Sequence, residues 1–235
     1  MMKTVIFDID NTLYDFDRAN RFGMEAARDY CRRSFGLEEP HFREYYRKAW
    51  RMAEERVGSD TAAIHNRILR FQCMMELLGE PLFPHVKTLA CTYWDTVLEQ
   101  MKPYPGIVEL FRTLREDQIR IGIGTDMTAY IQYRKLEELG VAPYVDFVVT
   151  SEEAGVEKPD PKFFGLCAEK AGCAAEECAF IGDHVKKDVQ GSIAAGMRGI
   201  WYSQGKEPEA ELPYPVIRSF EAADEVKKFI TNLDR

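Results

Sequence analysis

The segment TVIFDIDNT at residues 4–12 joins a short apolar run to two aspartates, Asp8 and Asp10. Residues 4–6 are β-branched and residues 5–7 are apolar, which is typical of a parallel strand that is covered on both faces. Ligands of open parallel sheets bind beyond the carboxyl ends of the strands. The segment therefore predicts a buried strand followed by a candidate site, although aspartates that only cap turns or helices are also common there.

Runs of the same kind recur in the second half of the chain, separated by amphipathic stretches. They cover residues 119–125, 146–150, 178–182, 199–202 and, more weakly, 216–218. Helix signals lie between them: Asp160 and Pro161 are typical of a helix start, and Leu139 followed by Gly140 is typical of a helix end. This alternation predicts an α/β fold with a doubly wound, Rossmann-like parallel sheet.

Residues 14–102 differ, because their apolar side chains follow helical spacing. One stripe runs up to the helix breakers Gly79 and Pro81 and consists of Ile64, Ile68, Phe71, Met75 and Leu78. About four helices are expected here, and an insert of this length is too long for a loop. We predict a helical-bundle cap domain at residues 14–102, inserted into an α/β core formed by residues 1–13 and 103–235.

The chain of 235 residues is acidic, with 31 basic and 39 acidic residues and a formal net charge of −8. The helical insert holds 14 residues of each sign, so the whole surplus belongs to the predicted core. This balance argues against a nucleic acid polymer or an anionic membrane as partner. It allows a small phosphorylated substrate, because a local site can differ in charge from the whole protein. The oligomeric state is left open.

The cysteines and the N-terminus bear on localisation. The six cysteines form no C-x-x-C pair, and we interpret them as reduced and mostly buried. The N-terminal apolar run is interrupted by Asp8, which is not typical of a signal peptide. No stretch approaches the roughly 18 apolar residues of a membrane span. These features predict a cytoplasmic protein.

Polar side chains recur where the other predicted strands end. Thr125 and Asp126 follow the second run, Lys158 precedes the helix that leads to the fourth, and Asp183 and Asp188 follow the fourth. Together with the first two aspartates this gives four carboxylates, and two unit charges 4 Å apart repel by about 4 kcal/mol at an effective dielectric of 20. Lys158 offsets one charge, which leaves about −3 for a cation to balance. Hard oxygen ligands favour Mg²⁺, and such a site suits phosphoryl transfer.

Four motifs occur in a fixed order along the chain: D-x-D-N-T at residues 8–12, Thr125, Lys158, and G-D-x-x-x-x-D at residues 182–188. Together they resemble the haloacid dehalogenase-like phosphohydrolase superfamily, and the resemblance covers essentially the whole chain. It implies that Asp8 is the nucleophile that forms an aspartyl-phosphate. It also implies that Asp10 protonates the leaving alcohol and then activates the hydrolytic water.

The same resemblance implies the binding groups. Phosphate oxygens would be bound by the Thr125 hydroxyl, the Asp126 backbone N–H and the Lys158 ammonium. Mg²⁺ would be held by oxygens of Asp8, Asp10 (its backbone carbonyl) and Asp183. Asp188 would lie behind these ligands and orient Lys158 or a metal-bound water.

The sequence departs from the family pattern at Asp126, where Asn is frequent, and at His184, where a small residue is frequent. We expect the Asp126 carboxylate to weaken phosphate binding or to require a counter-cation. For His184, one interpretation is a loop side chain that faces solvent or the cap, and the other is a substrate contact.

These residues favour a Mg²⁺-dependent phosphatase of small metabolites. Dehalogenases of the superfamily lack the second aspartate, whereas Asp10 is present, and phosphonatases use an early cap lysine, whereas no lysine occurs between Lys3 and Lys48. A sugar-phosphate mutase with the same core chemistry is the alternative. A non-catalytic binding protein on this fold is a further one, but all the motif residues are intact.

Two further stretches look like the branch that holds 5′-nucleotidases and N-acylneuraminate-9-phosphatases. They are QYRKL at residues 132–136 and VTSEEAGVEKP at residues 149–159. The resemblance implies a nucleotide monophosphate or a sugar phosphate as substrate, and both remain open because these stretches lie outside the predicted cap.

Overall fold

The structure, a computed structural model, describes residues 2–207 and 211–233. Its sheet has six strands: β1 (Thr4–Phe7), β2 (Arg120–Thr125), β3 (Phe147–Thr150), β4 (Cys178–Gly182), β5 (Arg198–Tyr202) and β6 (Val216–Ile217). Every neighbouring pair is parallel, and the order is β3-β2-β1-β4-β5-β6. The predicted doubly wound α/β sheet is therefore confirmed, and each predicted strand end lies within one residue of the observed one.

Ten α-helices occur in the described part of the chain. They are α1 (Phe16–Phe35), α2 (Glu39–Val57), α3 (Arg67–Leu78), α4 (His85–Gln100), α5 (Ile107–Glu116), α6 (Ala129–Glu138), α7 (Ser151–Ala154), α8 (Pro161–Ala171), α9 (Gly191–Ala194) and α10 (Ala223–Thr231). The predicted helix start is present, since the Asp160 side chain accepts the Lys162 N–H at 2.8 Å. The predicted helix end is present too, with Leu139 at the end of α6 and Gly140 at φ +70°.

The described residues form two compact units. The first combines the N-terminal segment up to Asp15 with the chain from Lys102 onward, and the second is Phe16–Met101. Within the second unit, α1 packs on α4 and α2 packs on α3. The first unit contains the whole sheet and every residue of the candidate site. Residues 1, 208–210, 234 and 235 of the predicted core lie outside the described residues.

The apolar stripe in the helical unit predicted one helix through Ile64 and Ile68, and this prediction is wrong in two respects. Ile64 lies in a separate 3₁₀ turn, Ala62–His65, because the Asn66 side chain accepts the Ile68 N–H at 2.9 Å and caps α3 there. Ile68 itself is 47% exposed. The inward face instead carries Arg70, whose guanidinium donates to the Ile64 carbonyl oxygen.

Apolar packing on both faces of the sheet fixes the strands that carry the site. On one face, Ile6 and Phe180 pack with Phe163 and Phe164 of α8. On the other, the Phe7 ring lies 4.6 Å from that of Phe111 in α5. Two-sided burial explains why the strands read as continuous apolar runs. None of the described helices is long and apolar enough to cross a lipid bilayer.

Candidate active site

Asp8 lies one residue beyond β1 and is buried, with 6% of its surface exposed. The chain then turns sharply: the Thr12 N–H donates to the Ile9 carbonyl oxygen at 3.2 Å, and Asn11 adopts φ +60°. Asparagine tolerates this left-handed backbone better than most residues. The turn brings the Thr12 hydroxyl to Asp8 Oδ2 at 3.3 Å, where it also accepts the Asp183 N–H at 3.1 Å. Thr12 thus links the ends of β1 and β4.

Lys158 joins three parts of the sheet edge. Its Nζ donates to Asp8 Oδ1 and Asp188 Oδ1 at 2.7 Å each, and to the Gly124 carbonyl oxygen at 3.3 Å. The residue is only 4% exposed, and a buried ammonium is costly unless it is paired and hydrogen-bonded. The loop before α8 therefore supplies a cation that holds together the ends of β1 and β2 and the segment after β4.

Asp188 reaches this position because Gly182 leaves room for it. A Cβ atom on Gly182 would lie 2.3 Å from Asp188 Cγ, well inside van der Waals contact. The Asp188 side chain comes from a π-helical turn, Val185–Gln190, and its Oδ2 accepts the His184 N–H at 2.9 Å. Since Oδ1 accepts from Lys158, protein donors fix both carboxylate oxygens.

The pKa values in this cluster are shifted by burial and by the neighbouring charges. Burial alone would lower the pKa of Lys158, but the carboxylates of Asp188 and Asp8 outweigh burial and hold it well above its ordinary value. The pKa of Asp8 is raised by burial and by repulsion from Asp188 and Asp183, which Lys158 only partly offsets. Burial and Asp188 raise the pKa of Asp183 to about 7. The cluster thus holds more carboxylate charge than its own cation balances.

The carboxylates of this cluster fit a metal ion. Oxygens of Asp8, Asp183 and Asp188 all lie within 4.8 Å of one another. An all-oxygen donor set of this kind suits a hard divalent cation such as Mg²⁺. Asp8 and Asp183 were in the predicted ligand set, and the structure adds an Asp188 oxygen to the cluster.

Thr125, the last residue of β2, is buried and is held by a residue that the sequence did not assign to the site. Gln132 of α6 donates from Nε2 to the Thr125 hydroxyl oxygen at 2.6 Å and to the Asp126 carbonyl oxygen at 2.9 Å. Gln132 is fully buried. The hydroxyl that was predicted to bind phosphate therefore has a fixed position.

Asp126 has the counter-cation that its charge was expected to require. Lys187 Nζ lies 2.9 Å from Asp126 Oδ2 and 3.1 Å from Glu157 Oε2. The other Asp126 oxygen accepts the Lys158 backbone N–H at 3.0 Å. Burial would raise the pKa of Asp126, but Lys158 and Lys187 outweigh it, so the pKa is lowered. The carboxylate is therefore tied to the loop that carries Lys158.

His184 has a local structural contact. Its Nδ1 accepts the Lys187 N–H at 3.2 Å, so the ring caps the π-helical turn, and the residue is exposed. This supports the first of the two interpretations, a loop histidine.

Asp10 lies in a second cluster, with Lys135 of α6 and Tyr14. Lys135 Nζ is 2.7 Å from both Asp10 oxygens, and the Tyr14 hydroxyl donates to Asp10 Oδ1 at 2.7 Å. The net charge expected from the sequence, about −3, counted Lys158 but not Lys135. With all four carboxylates ionised, the two ammonium groups that face them leave −2, the charge that one divalent cation balances. The one available signal was the i, i+3 spacing of Gln132 and Lys135.

Comparison with known proteins shows the family to which this chain is similar. Residues 2–196 match the haloacid dehalogenase-like hydrolase family. A ribulose-1,5-bisphosphate 5-phosphatase of Halopiger xanaduensis is 35% identical over 212 residues, which cover 89% of this chain and 88% of the relative. A glyceraldehyde 3-phosphate phosphatase of Methanopyrus kandleri is 34% identical over 215 residues, 90% of this chain and 88% of the relative.

Two further proteins show the breadth of the similarity. A pyrimidine 5′-nucleotidase of Escherichia coli is 27% identical over 226 residues, which cover 94% of this chain and 96% of the relative. A solved 2-haloacid dehalogenase of Pseudomonas syringae pv. tomato superposes with a TM-score of 0.77 at 27% identity and covers 98% of this chain and 100% of its own. The nucleotidase is similar along its whole length, in partial support of the predicted branch.

Proposed function

The chain belongs to the haloacid dehalogenase-like hydrolases, and we propose that it is a phosphatase that hydrolyses small phosphomonoesters through an aspartyl-phosphate on Asp8. One observation carries the proposal: the buried Asp8 carboxylate lies at the carboxyl end of β1, 2.7 Å from the Lys158 ammonium. A carboxylate that is fixed and flanked by a cation is suited to attack phosphorus. Asp10, two residues on, favours a phosphatase over a dehalogenase.

In the first half-reaction, an Asp8 oxygen forms a bond to phosphorus while the bond from phosphorus to the alcohol oxygen breaks. The Asp10 carboxyl gives its proton to that oxygen, so the products are an alcohol, an aspartyl-phosphate and the Asp10 carboxylate. Lys158, Thr125 and the Asp126 N–H would bind the phosphoryl oxygens. Lys158 offsets charge on both the nucleophile and the phosphoryl group.

In the second half-reaction, water attacks the aspartyl-phosphate. The Asp10 carboxylate accepts a proton as the water oxygen bonds to phosphorus, and the bond to Asp8 breaks. Inorganic phosphate leaves, and both aspartates return to their starting protonation states. Asp10 therefore acts first as an acid and then as a base.

Mg²⁺ is the metal that these residues would hold, with Asp8, Asp183 and the Asp10 carbonyl oxygen as ligands and Asp188 beside them. When bound, it would supply positive charge that screens the nucleophile from the phosphate. The oxygen donors and the residual charge of −2 support this choice.

For the substrate, we propose a phosphorylated sugar or a related small metabolite, with a nucleotide monophosphate as the second candidate. The relatives from Halopiger and Methanopyrus are named for phosphorylated sugars, and the relative from Escherichia for a nucleotide.

We also propose that the helical unit Phe16–Met101 is the cap domain that selects among these substrates. The described cysteines are all free, which supports our prediction of a cytoplasmic enzyme.

The test is a phosphatase assay with Mg²⁺ on p-nitrophenyl phosphate and a panel of sugar phosphates and nucleotides. We expect turnover by the natural protein and none above background by Asp8→Asn, with an unchanged circular dichroism spectrum. Activity of Asp8→Asn, or activity in excess EDTA, would contradict the mechanism. Release of one inorganic phosphate per substrate consumed separates a phosphatase from a mutase, which would return the phosphoryl group to the sugar.

A further inference from the structure

Helix α6 presents two buried polar side chains, Gln132 and Lys135, on one face, since residues three apart are neighbours on a helix surface. Each touches a group of the reaction described above. On the premise of that phosphatase function, we propose that this face positions two reacting groups independently: Lys135 positions the Asp10 carboxylate, and Gln132 positions the Thr125 hydroxyl.

The Lys135 ammonium group is buried, and its ion pair with a carboxylate stabilises it there. Its side chain is 0% exposed, and its Nζ also lies 3.7 Å from the Met127 sulfur. An ion in such surroundings is strongly destabilising unless it is paired. Its partner Asp10 is 23% exposed, and Lys135 contacts both Asp10 oxygens. The pair therefore leaves the carboxylate open on one side and fixed on the other.

Lys135 assists the proton transfer through charge as well as position. Asp10 gains negative charge as its proton moves to the leaving oxygen, and the ammonium at 2.7 Å favours that charge. The Tyr14 hydroxyl, also at 2.7 Å, supplies a second donor. Lys135 touches neither phosphorus nor the leaving group in this scheme, so it is a positioning residue.

Within the described residues, the Gln132 amide has one unpaired buried atom, and its other atom contacts Thr125 and Asp126. Its Oε1 is buried and has no hydrogen-bond partner among the described residues. An unpaired buried acceptor of this kind is destabilising. The amide nitrogen, in contrast, makes both of its contacts at the end of β2. Its donors hold the Thr125 hydroxyl oxygen in place, and the hydroxyl proton, which is directed to the Asp126 carbonyl oxygen at 3.2 Å, would turn to a bound phosphate oxygen.

The two roles predict different kinetic signatures, because only proton donation depends on the leaving group. A strongly acidic phenol leaves without a proton, whereas a weakly acidic phenol needs one. Phenyl phosphate and 2,4-dinitrophenyl phosphate are both aryl phosphates, and the two nitro groups make the second leaving group far more acidic. Their kcat/KM values report the chemistry up to release of the phenol, before the aspartyl-phosphate is hydrolysed.

For Lys135→Met with Mg²⁺ present, we expect kcat/KM to fall about 100-fold on phenyl phosphate and less than about fivefold on 2,4-dinitrophenyl phosphate. Asp10→Asn is expected to show the same pattern more strongly. Lys170→Met is the matched control, because Lys170 pairs with Glu153 away from the site, and it should leave both values unchanged. An equal loss on both substrates would mean a merely structural role for Lys135 and would overturn its part of the proposal.

For Gln132→Leu, we expect about tenfold weaker binding of inorganic phosphate, measured by isothermal titration, and an equal rise in KM for both aryl phosphates. Unchanged phosphate binding, or a loss that depends on the leaving group, would overturn the assignment of Gln132.

Tyr14→Phe keeps the proposal testable if Lys135→Met does not fold. It removes only the hydroxyl that donates to Asp10 Oδ1, and we expect a loss of about fivefold that is again confined to phenyl phosphate. Equal losses on both substrates would overturn the proposal. If the natural protein does not hydrolyse either phosphate, or if Asp8→Asn remains active, the phosphatase function itself fails, which is a separate result.

Discussion

Two buried lysines pair with aspartates of the same site, and their surroundings differ. Lys158 lies between two buried carboxylates, Asp8 and Asp188, and binds one oxygen of each. Lys135 binds both oxygens of Asp10, which is partly exposed to solvent. We call Lys158, Asp8 and Asp188 the closed cluster, because all three are buried. We call Lys135 and Asp10 the open cluster, because Asp10 is partly exposed.

The difference matches the chemistry that each aspartate is proposed to perform. Asp8 exchanges a bond with phosphorus, so its carboxylate has to be fixed and partly neutralised. Asp10 exchanges protons with a leaving alcohol and with water, so one side of it has to stay accessible. A buried lysine can therefore serve a nucleophile or an acid–base group, depending on whether its partner is sealed or open.

Replacement of Lys158 should have the largest effect and should break the closed cluster. Lys158→Met leaves Asp8 and Asp188 facing each other without a cation, and the free energy of unfolding should fall by about 3 kcal/mol. Turnover should fall by about 1000-fold or more on good and poor leaving groups alike. Aryl phosphate kinetics and urea denaturation measure both effects. A loss confined to poor leaving groups would mean that Lys158 acts as Lys135 is proposed to act.

The metal is expected to stabilise the closed cluster. Saturating Mg²⁺ at 100 times its Kd should stabilise the folded protein by about 2.7 kcal/mol, visible as a rise in Tm that EDTA reverses. Asp183→Asn should lose most of this rise and about 100-fold in turnover, because a charged oxygen ligand is removed. Lys135→Met, which alters only the open cluster, should keep the rise. A full Tm response in Asp183→Asn would contradict the ligand assignment.

A substitution at Gly182 measures how tightly the closed cluster is packed. Gly182→Ala would place a methyl group 2.3 Å from Asp188 Cγ, so Asp188 has to move and Lys158 loses a partner. We expect a loss of about 1–3 kcal/mol in stability and about tenfold or more in turnover. Gly165→Ala is the matched control, since Gly165 has nothing within 4 Å of its Cβ position. Equal behaviour of the two variants would show that the cluster tolerates displacement.

The pair of Lys187 and Asp126 should give the smallest effect, because it lies at the rim of the closed cluster. Lys187→Met leaves the Asp126 carboxylate without its ammonium partner, and kcat/KM should fall about fivefold. The double variant Asp126→Asn with Lys187→Met should recover part of this loss, since the Asp126 charge is gone while Glu157 still lacks its contact with Lys187. Additive losses in the double variant would show that the two side chains act separately.

The strands and some helix ends could be predicted from the sequence, because their causes are local. A two-sided buried strand requires continuous apolar residues, and helix ends require residues such as Asp160 or Gly140 at set positions. Motif residues at strand ends were predictable for a related reason: parallel strands bring their carboxyl ends to one edge. The strand pattern therefore predicts that Asp8, Lys158 and Asp188 lie at one edge of the sheet.

The inward face of α3 was only partly predictable, since Phe71 and Met75 of the predicted stripe are buried and Ile68 is not. The partners of charged side chains were not predictable. Ile68 is exposed and Arg70 is buried, although apolar periodicity favours the reverse, because the packing partners of α3 select its inward face. Lys135 binds Asp10 from 125 positions away, and Lys187 binds Asp126 from 61 positions away. Such pairs are specified by the meeting of two elements in space, since a buried charge is stable only beside its partner. The sequence by itself therefore determined the sheet and the edge at which the aspartates that we propose to react are gathered. The tertiary structure decided which cations neutralise Asp10 and Asp126.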